Sequence, residues 1–99
     1  MRSYEVMFIA HPDLDDTSLT ALLDKAKGWV TAGGGAVTQV DLWGRRRLAY
    51  PIRKQKEGQY VLMQTQMESN GTHELERNLR LNEQVMRFQV IRVEEPAAA

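Results

Sequence analysis

The chain has 99 residues, 42% of them apolar, no cysteine, and 13 basic against 13 acidic side chains. That length and apolar content make one small domain with a modest core and exclude a disordered chain. The missing cysteines exclude disulfides and thiolate metal sites, and the zero net charge argues against a protein that grips nucleic acid over its whole surface. The N-terminus lacks the basic-then-apolar layout of a signal peptide. No apolar run approaches the ~20 residues that span a bilayer. The expectation is a soluble, cytoplasmic protein with no membrane contact. Charge is unevenly spread: six of the 13 Lys and Arg residues fall between Arg45 and Lys56. Asp13, Asp15 and Asp16 cluster early, and Glu94 and Glu95 sit near the end.

Residues 3–9 alternate and are β-rich, with Tyr4, Val6 and Phe8 on one side and Glu5, Met7 and Ile9 on the other. His11-Pro12-Asp13 stops this first strand. Asp15 or Asp16 can cap the helix that follows, where a carboxylate suits the N-terminal dipole. Leu19, Leu22, Leu23, Ala26, Trp29 and Val30 give that helix one wide apolar stripe. Gly28 inside it costs ~1 kcal/mol of helix propensity. Gly33-Gly34-Gly35 ends the helix. A phosphate-cradling glycine loop would precede a helix rather than follow one.

Residues 36–52 read as a long second strand broken at Gly44, with Val37, Leu48 and Tyr50 as packing positions. Pro51 cannot donate to a sheet ladder, which puts this strand at an edge. Residues 53–58 read as a charged turn ending in Gly58, and residues 59–67 as a third strand paired with the second in a hairpin. Val61, Met63, Thr65 and Met67 share one face; Tyr60, Leu62, Gln64 and Gln66 share the other. Ser69-Asn70-Gly71 is a turn and cap for a second helix that turns Leu75 and Leu79 to the core and Glu74, Glu76, Arg77 and Arg80 to solvent. Residues 85–93 form the last strand, with Met86, Phe88 and Val90 alternating against Arg87, Gln89 and Ile91. One domain over residues 1–94 and a flexible tail at 95–99 are expected.

The order β-α-β-β-α-β specifies an α+β, ferredoxin-like split βαβ fold: a four-stranded antiparallel sheet with both helices on one face. Strands one and three are then central. The other face, bearing Met7, Ile9, Tyr60, Leu62 and Ile91, has no helix left to cover it, which is more apolar surface than a free monomer usually leaves wet.

No active site emerges. His11 and His73 are isolated and outside any metal-ligand spacing. The three aspartates lack the glycine and distal glutamate of a calcium loop, so capping explains them better. No cofactor, metal or small-molecule substrate is expected. The run Gly44-Arg45-Arg46-Arg47 remains. Its plain explanation is a charged edge that resists strand-to-strand aggregation. Arginine also matches phosphates and stacks on bases, and Trp43, Tyr50 and Tyr60 offer aromatic platforms. Taken alone, these residues allow either reading, and Arg2, Arg87 and Arg92 extend the basic surface in principle.

Arg2, Tyr4-Glu5-Val6 and the stretch Gly44-Arg45-Arg46-Arg47-Leu48-Ala49-Tyr50-Pro51-Ile52 resemble the signature of the bacterial small-subunit ribosomal protein six family. Pro12-Asp13-Leu14-Asp15, Gly58, Leu75, Leu79-Arg80 and the strand at 85–90 fall where that family has them. The resemblance runs from Met1 to about Pro96, while Met7, Trp43 and Gly28 depart from the motif. It implies a structural, non-catalytic role in the cytoplasmic ribosome: binding the central domain of small-subunit ribosomal RNA together with small-subunit ribosomal protein eighteen. By position, Arg2, Tyr4, Arg87 and Arg92 become candidate RNA contacts. Arg45, Arg46, Arg47, Leu48 and Tyr50 become candidates for RNA or partner. A cationic partner on the open sheet face would bury Ile9, Tyr60, Leu62 and Ile91. Two other classes compete: a stand-alone RNA-recognition module stacking bases on Tyr60, and a ligand-sensing or oligomerising domain of the same fold.

Overall fold

A computed structural model describes residues 2–93, and the tail expected at 95–99 lies outside the described residues. The elements run β1 (Arg2–Ala10), α1 (Asp16–Ala32), β2 (Ala36–Ile52), β3 (Gln55–Met67), α2 (Gly71–Leu81) and β4 (Val85–Val93). The sheet order is β2-β3-β1-β4, all antiparallel. Central β1 and β3 and edge β2 and β4 agree with the topology the sequence specifies.

Alternation builds the core. Tyr4, Val6 and Phe8 of β1 and Val61, Met63 and Met67 of β3 meet Leu22, Leu23, Ala26 and Val30 of α1 and Leu75 and Leu79 of α2 in one buried cluster. The Asp15 carboxylate accepts the Ser18 backbone N–H at 2.7 Å and caps α1. That bond holds the Asp15 pKa below its ordinary value, because it favours the charged form. At the other end Gly34 takes φ +84°, and Gly34 and Gly35 donate their N–H groups to the Thr31 and Val30 carbonyls. Asn70, expected to cap α2, makes no side-chain cap bond. The Thr72 hydroxyl instead donates to the Ser69 carbonyl.

The hairpin departs most from expectation. Its turn is only Arg53 and Lys54, since Ile52 already pairs with Gln55. Both turn residues hold positive φ, 50° and 65°. That geometry suits the twist of a tight hairpin but costs a non-glycine residue about 1 kcal/mol or more. Gly58, read as the end of the turn, lies inside β3. A Cβ there would meet Ile9 Cγ2 at 2.3 Å. Glycine therefore serves close approach, not the turn.

Because β1 ends opposite Gln59, the hairpin continues past it as an arm of residues 46–58. The arm folds across the end of the sheet. Its Leu48 packs with Ile9 and Met86 in a second cluster, with Ile52 and Tyr60 against it. Three expectations change as a result. Ile9 and Leu48 are only 8% exposed, so the chain itself covers this end of the open face. Tyr50, expected to pack, is 56% exposed. Met86 joins the open-face cluster rather than the helix side, because the β1–β4 register shifts between Ile9 and Ala10.

Two glycine substitutions separate these roles in chemical denaturation. Gly28 has open space around its Cβ position, so Gly28→Ala should stabilise by roughly 0.5–1 kcal/mol. Gly58→Ala must displace a β-branched side chain and should cost roughly 1–3 kcal/mol.

Candidate nucleic-acid interface

The arginine run divides by strand alternation and by the bulge at Gly44, where φ is +80° and the β2–β3 register shifts. Arg45 lies opposite Gln59 and turns toward the β1–α1 loop. Its Nη2 donates to the Pro12 carbonyl at 2.6 Å, and its Nε lies 3.8 Å from a Glu57 carboxylate oxygen. Gln59 supports the same loop by donating to the His11 and Leu14 carbonyls at 3.1 and 2.9 Å. Arg46 turns to the open face. Its Nε donates to the Trp43 carbonyl at 3.3 Å, and its guanidinium lies 5.8 Å from the Trp43 ring centroid. Trp43 in turn stacks on Tyr60 with centroids 6.2 Å apart and planes 7° from parallel. Arg47 is exposed and lines a hollow with Leu48, Ala49, Tyr50, Pro51 and Lys56.

At the far side of the arm Arg87 Nη1 donates to the Tyr50 hydroxyl, and the Arg87 guanidinium lies 5.8 Å from the Tyr50 ring centroid. Cation and ring hold each other at the surface. Next to Arg87 is a concavity of about 380 Å³ lined by Met7, Ile9, Phe88 and Gln89 as well. The remaining open face carries half-buried Met7, Tyr60 and Leu62, with Ile91 at 45% and Trp43 at 43% exposure.

The other candidates lie elsewhere. Arg2 and Arg92 are exposed, but they sit at the opposite end of the sheet and on the helix side, since Arg92 pairs with Tyr4. Five residues along β4 separate Arg92 from Arg87, roughly 17 Å. Arg87 and Arg92 therefore do not form one continuous basic surface. Tyr4 is a core residue, and its backbone carbonyl accepts from the Thr65 hydroxyl at 3.3 Å. Two arginines that sequence reasoning left as turn and helix surface come beside Arg87: Arg53 and Arg80 share one hollow with it. The packing of α2 on β4 brings Arg80 there, and the folded arm brings Arg53. No spacing in the sequence signals it. Among the described residues no three metal-ligating side chains gather, and no helix is long and apolar enough to cross a membrane.

Comparison with known proteins agrees with this architecture. The family model described as Ribosomal protein S6 matches residues 3–92. The small ribosomal subunit protein bS6 of Desulforamulus reducens is 47% identical over 92 residues, covering 93% of this chain and 97% of that protein. The protein of the same name from Moorella thermoacetica is 43% identical over 98 residues, covering 99% and 100%. A crystal structure of 30S ribosomal protein S6 from Thermotoga maritima superposes with a TM-score of 0.88 at 29% identity, covering 93% of this chain and 87% of that one.

The division of the arginines has a measurable consequence. Arg45→Ala should lower unfolding free energy by about 1 kcal/mol, because it frees the Pro12 carbonyl. Arg46→Ala and Arg47→Ala should each stay within about 0.5 kcal/mol of the parent in the same denaturation series.

Proposed function

This chain belongs to the ribosomal protein S6 family, and from that premise we propose that it is a structural, non-catalytic constituent of the small ribosomal subunit. In this reading it binds the central domain of small-subunit ribosomal RNA cooperatively with small-subunit ribosomal protein eighteen, on the cytoplasmic ribosome. One observation carries the reading: an apolar strip of Met7, Tyr60, Leu62, Ile91 and Trp43 stays partly open beside Arg46 and Arg87 on a chain with no net charge. Such a chain gains little from long-range attraction, and each phosphate contact contributes a salt slope of only ~0.7–0.9. A cationic partner on the strip supplies what is missing. Covering ~200 Å² of apolar surface contributes about 5 kcal/mol before association costs, and the partner brings phosphate contacts of its own. The covered end of the face narrows the docking surface: Leu62, Ile91 and Tyr60 are available to a partner, Ile9 and Leu48 only at their edges.

The test is RNA binding across a salt series, with and without the basic partner. Two added phosphate contacts raise affinity about 25- to 60-fold at 0.1 M salt. Equal affinity in both conditions overturns cooperative binding.

The Trp43–Tyr60 stack beneath Arg46 favours a second reading, a stand-alone single-strand RNA module. Trp43 already lies along Tyr60, which leaves less ring for a base. If this reading holds, Tyr60→Ala lowers single-strand RNA affinity; unchanged affinity removes it.

A further inference from the structure

Three guanidiniums from three elements surround one open hollow of about 220 Å³: Arg53 at the arm's tip, Arg80 in the last turn of α2, and Arg87 near the start of β4. Apolar side chains of Leu79, Val85, Met86 and Phe88 form its floor. Each guanidinium carries about five N–H donors. Against that number the chain offers few acceptors. Arg53 Nη1 donates to the Glu83 carbonyl at 3.2 Å, and Arg87 donates to the Tyr50 hydroxyl. Arg80 lies over the Phe88 ring at 5.9 Å and, among the described residues, makes no hydrogen bond or ion pair. Glu76 and Glu83 are the acids nearest Arg80 and Arg87 in sequence, and Glu57 the nearest to Arg53, yet among the described residues none of the three forms an ion pair with these arginines: Glu57 pairs with Arg45 instead.

The Arg80 guanidinium lies 5.9 Å from the Phe88 ring centroid and the Arg87 guanidinium 5.8 Å from that of Tyr50, and each keeps N–H donors that suit an oxyanion. Arg53 is held there at positive φ. A sequence that needed only a tight turn would place Asn-Gly at this point. The helix dipole explains Arg80 alone, since Arg53 and Arg87 are not helical.

We propose that this notch binds a backbone phosphodiester of RNA. A strand seated there continues along the arm past Lys54, Lys56 and Arg47, so the ligand is a polyanion rather than a single small anion. The proposal rests on the RNA-binding reading above and adds a contact site on the arm side of the molecule.

The experiment compares the parent, the Arg53→Ala/Arg80→Ala double variant, Arg80→Ala and Arg77→Ala. Each is titrated into a small-subunit central-domain RNA fragment with the basic partner present, over a salt series. Arg77 is on the same helix, is exposed and does not line the notch. Losing one phosphate contact lowers affinity about 5- to 8-fold at 0.1 M salt and makes the salt slope shallower by ~0.7–0.9. That loss is expected in the double variant and in part in Arg80→Ala, with circular dichroism and thermal midpoint reporting an intact fold. Arg77→Ala should leave the slope unchanged. A parent that binds while both notch variants match it overturns the notch alone. So does an Arg77→Ala loss equal to that of Arg80→Ala, because the effect is then bulk charge. A parent that does not bind the RNA overturns the RNA-binding reading and the notch with it.

Discussion

The approach of Ile9 to Gly58 governs the lower half of this molecule. Any side chain at residue 58 would fall within 2.3 Å of Ile9 Cγ2. With glycine there, the Ile9 side chain lies against the bare Cα of β3 just past the last β1–β3 pair, and the hairpin turns across the sheet instead of standing away from it. Leu48 then seats between Ile9 and Met86. The Ile9/Ala10 register shift turns Met86 to meet it. A small contact between one methyl group and one bare Cα thus decides which end of the open face is dry. It also brings the arm's tip to the α2–β4 loop.

The layers and the order of strands were legible in the sequence because they rest on local periodicity. The stripe from Leu22 to Val30, the alternation from Val61 to Met67 and the glycines after Ala32 each act within a few residues. What escaped depends on distant partners. Gly58 looks like a turn glycine until β1 is placed beside it. Arg53 and Lys54 take positive φ that composition would assign to glycine or asparagine, because the flanking strands over-determine the turn. Met86 leaves its expected face because it is the extra β4 residue between the Ile9–Arg87 and Ala10–Val85 pairs. Tyr4 kept its predicted face, and that same face buries it, so core and contact roles compete for one ring.

The arginine run shows the same limit at the level of the site. Three adjacent cations in a strand were legible as an edge, but their separate tasks were not. Alternation sends neighbours to opposite sides, and the Gly44 bulge resets which side is which. Arg45 is absorbed into the protein's own structure by the Pro12 carbonyl and Glu57. Arg46 lies on Trp43, and Arg47 remains in solvent. A carbonyl presented by a loop 33 residues earlier is what distinguishes the first from the others, and no local pattern encodes it.

Division of the cations has a consequence for how the proposed RNA contact would select its target. Arg2 and Arg92 at one end and the arm-side arginines at the other are separated by more than the ~8–10 Å over which exposed charges interact at physiological salt. Neither group reinforces the other through the solvent, and the neutral body between them adds no attraction. The two act together only on a ligand that holds phosphates at both places at once, when the second contact becomes intramolecular. A flexible single strand gains little from this, because it must be ordered to span the distance. A folded RNA with fixed spacing gains most. Selection then falls on RNA shape rather than on base sequence, as backbone contacts carry no sequence information of their own. A protein with so few free guanidiniums becomes selective by where they stand.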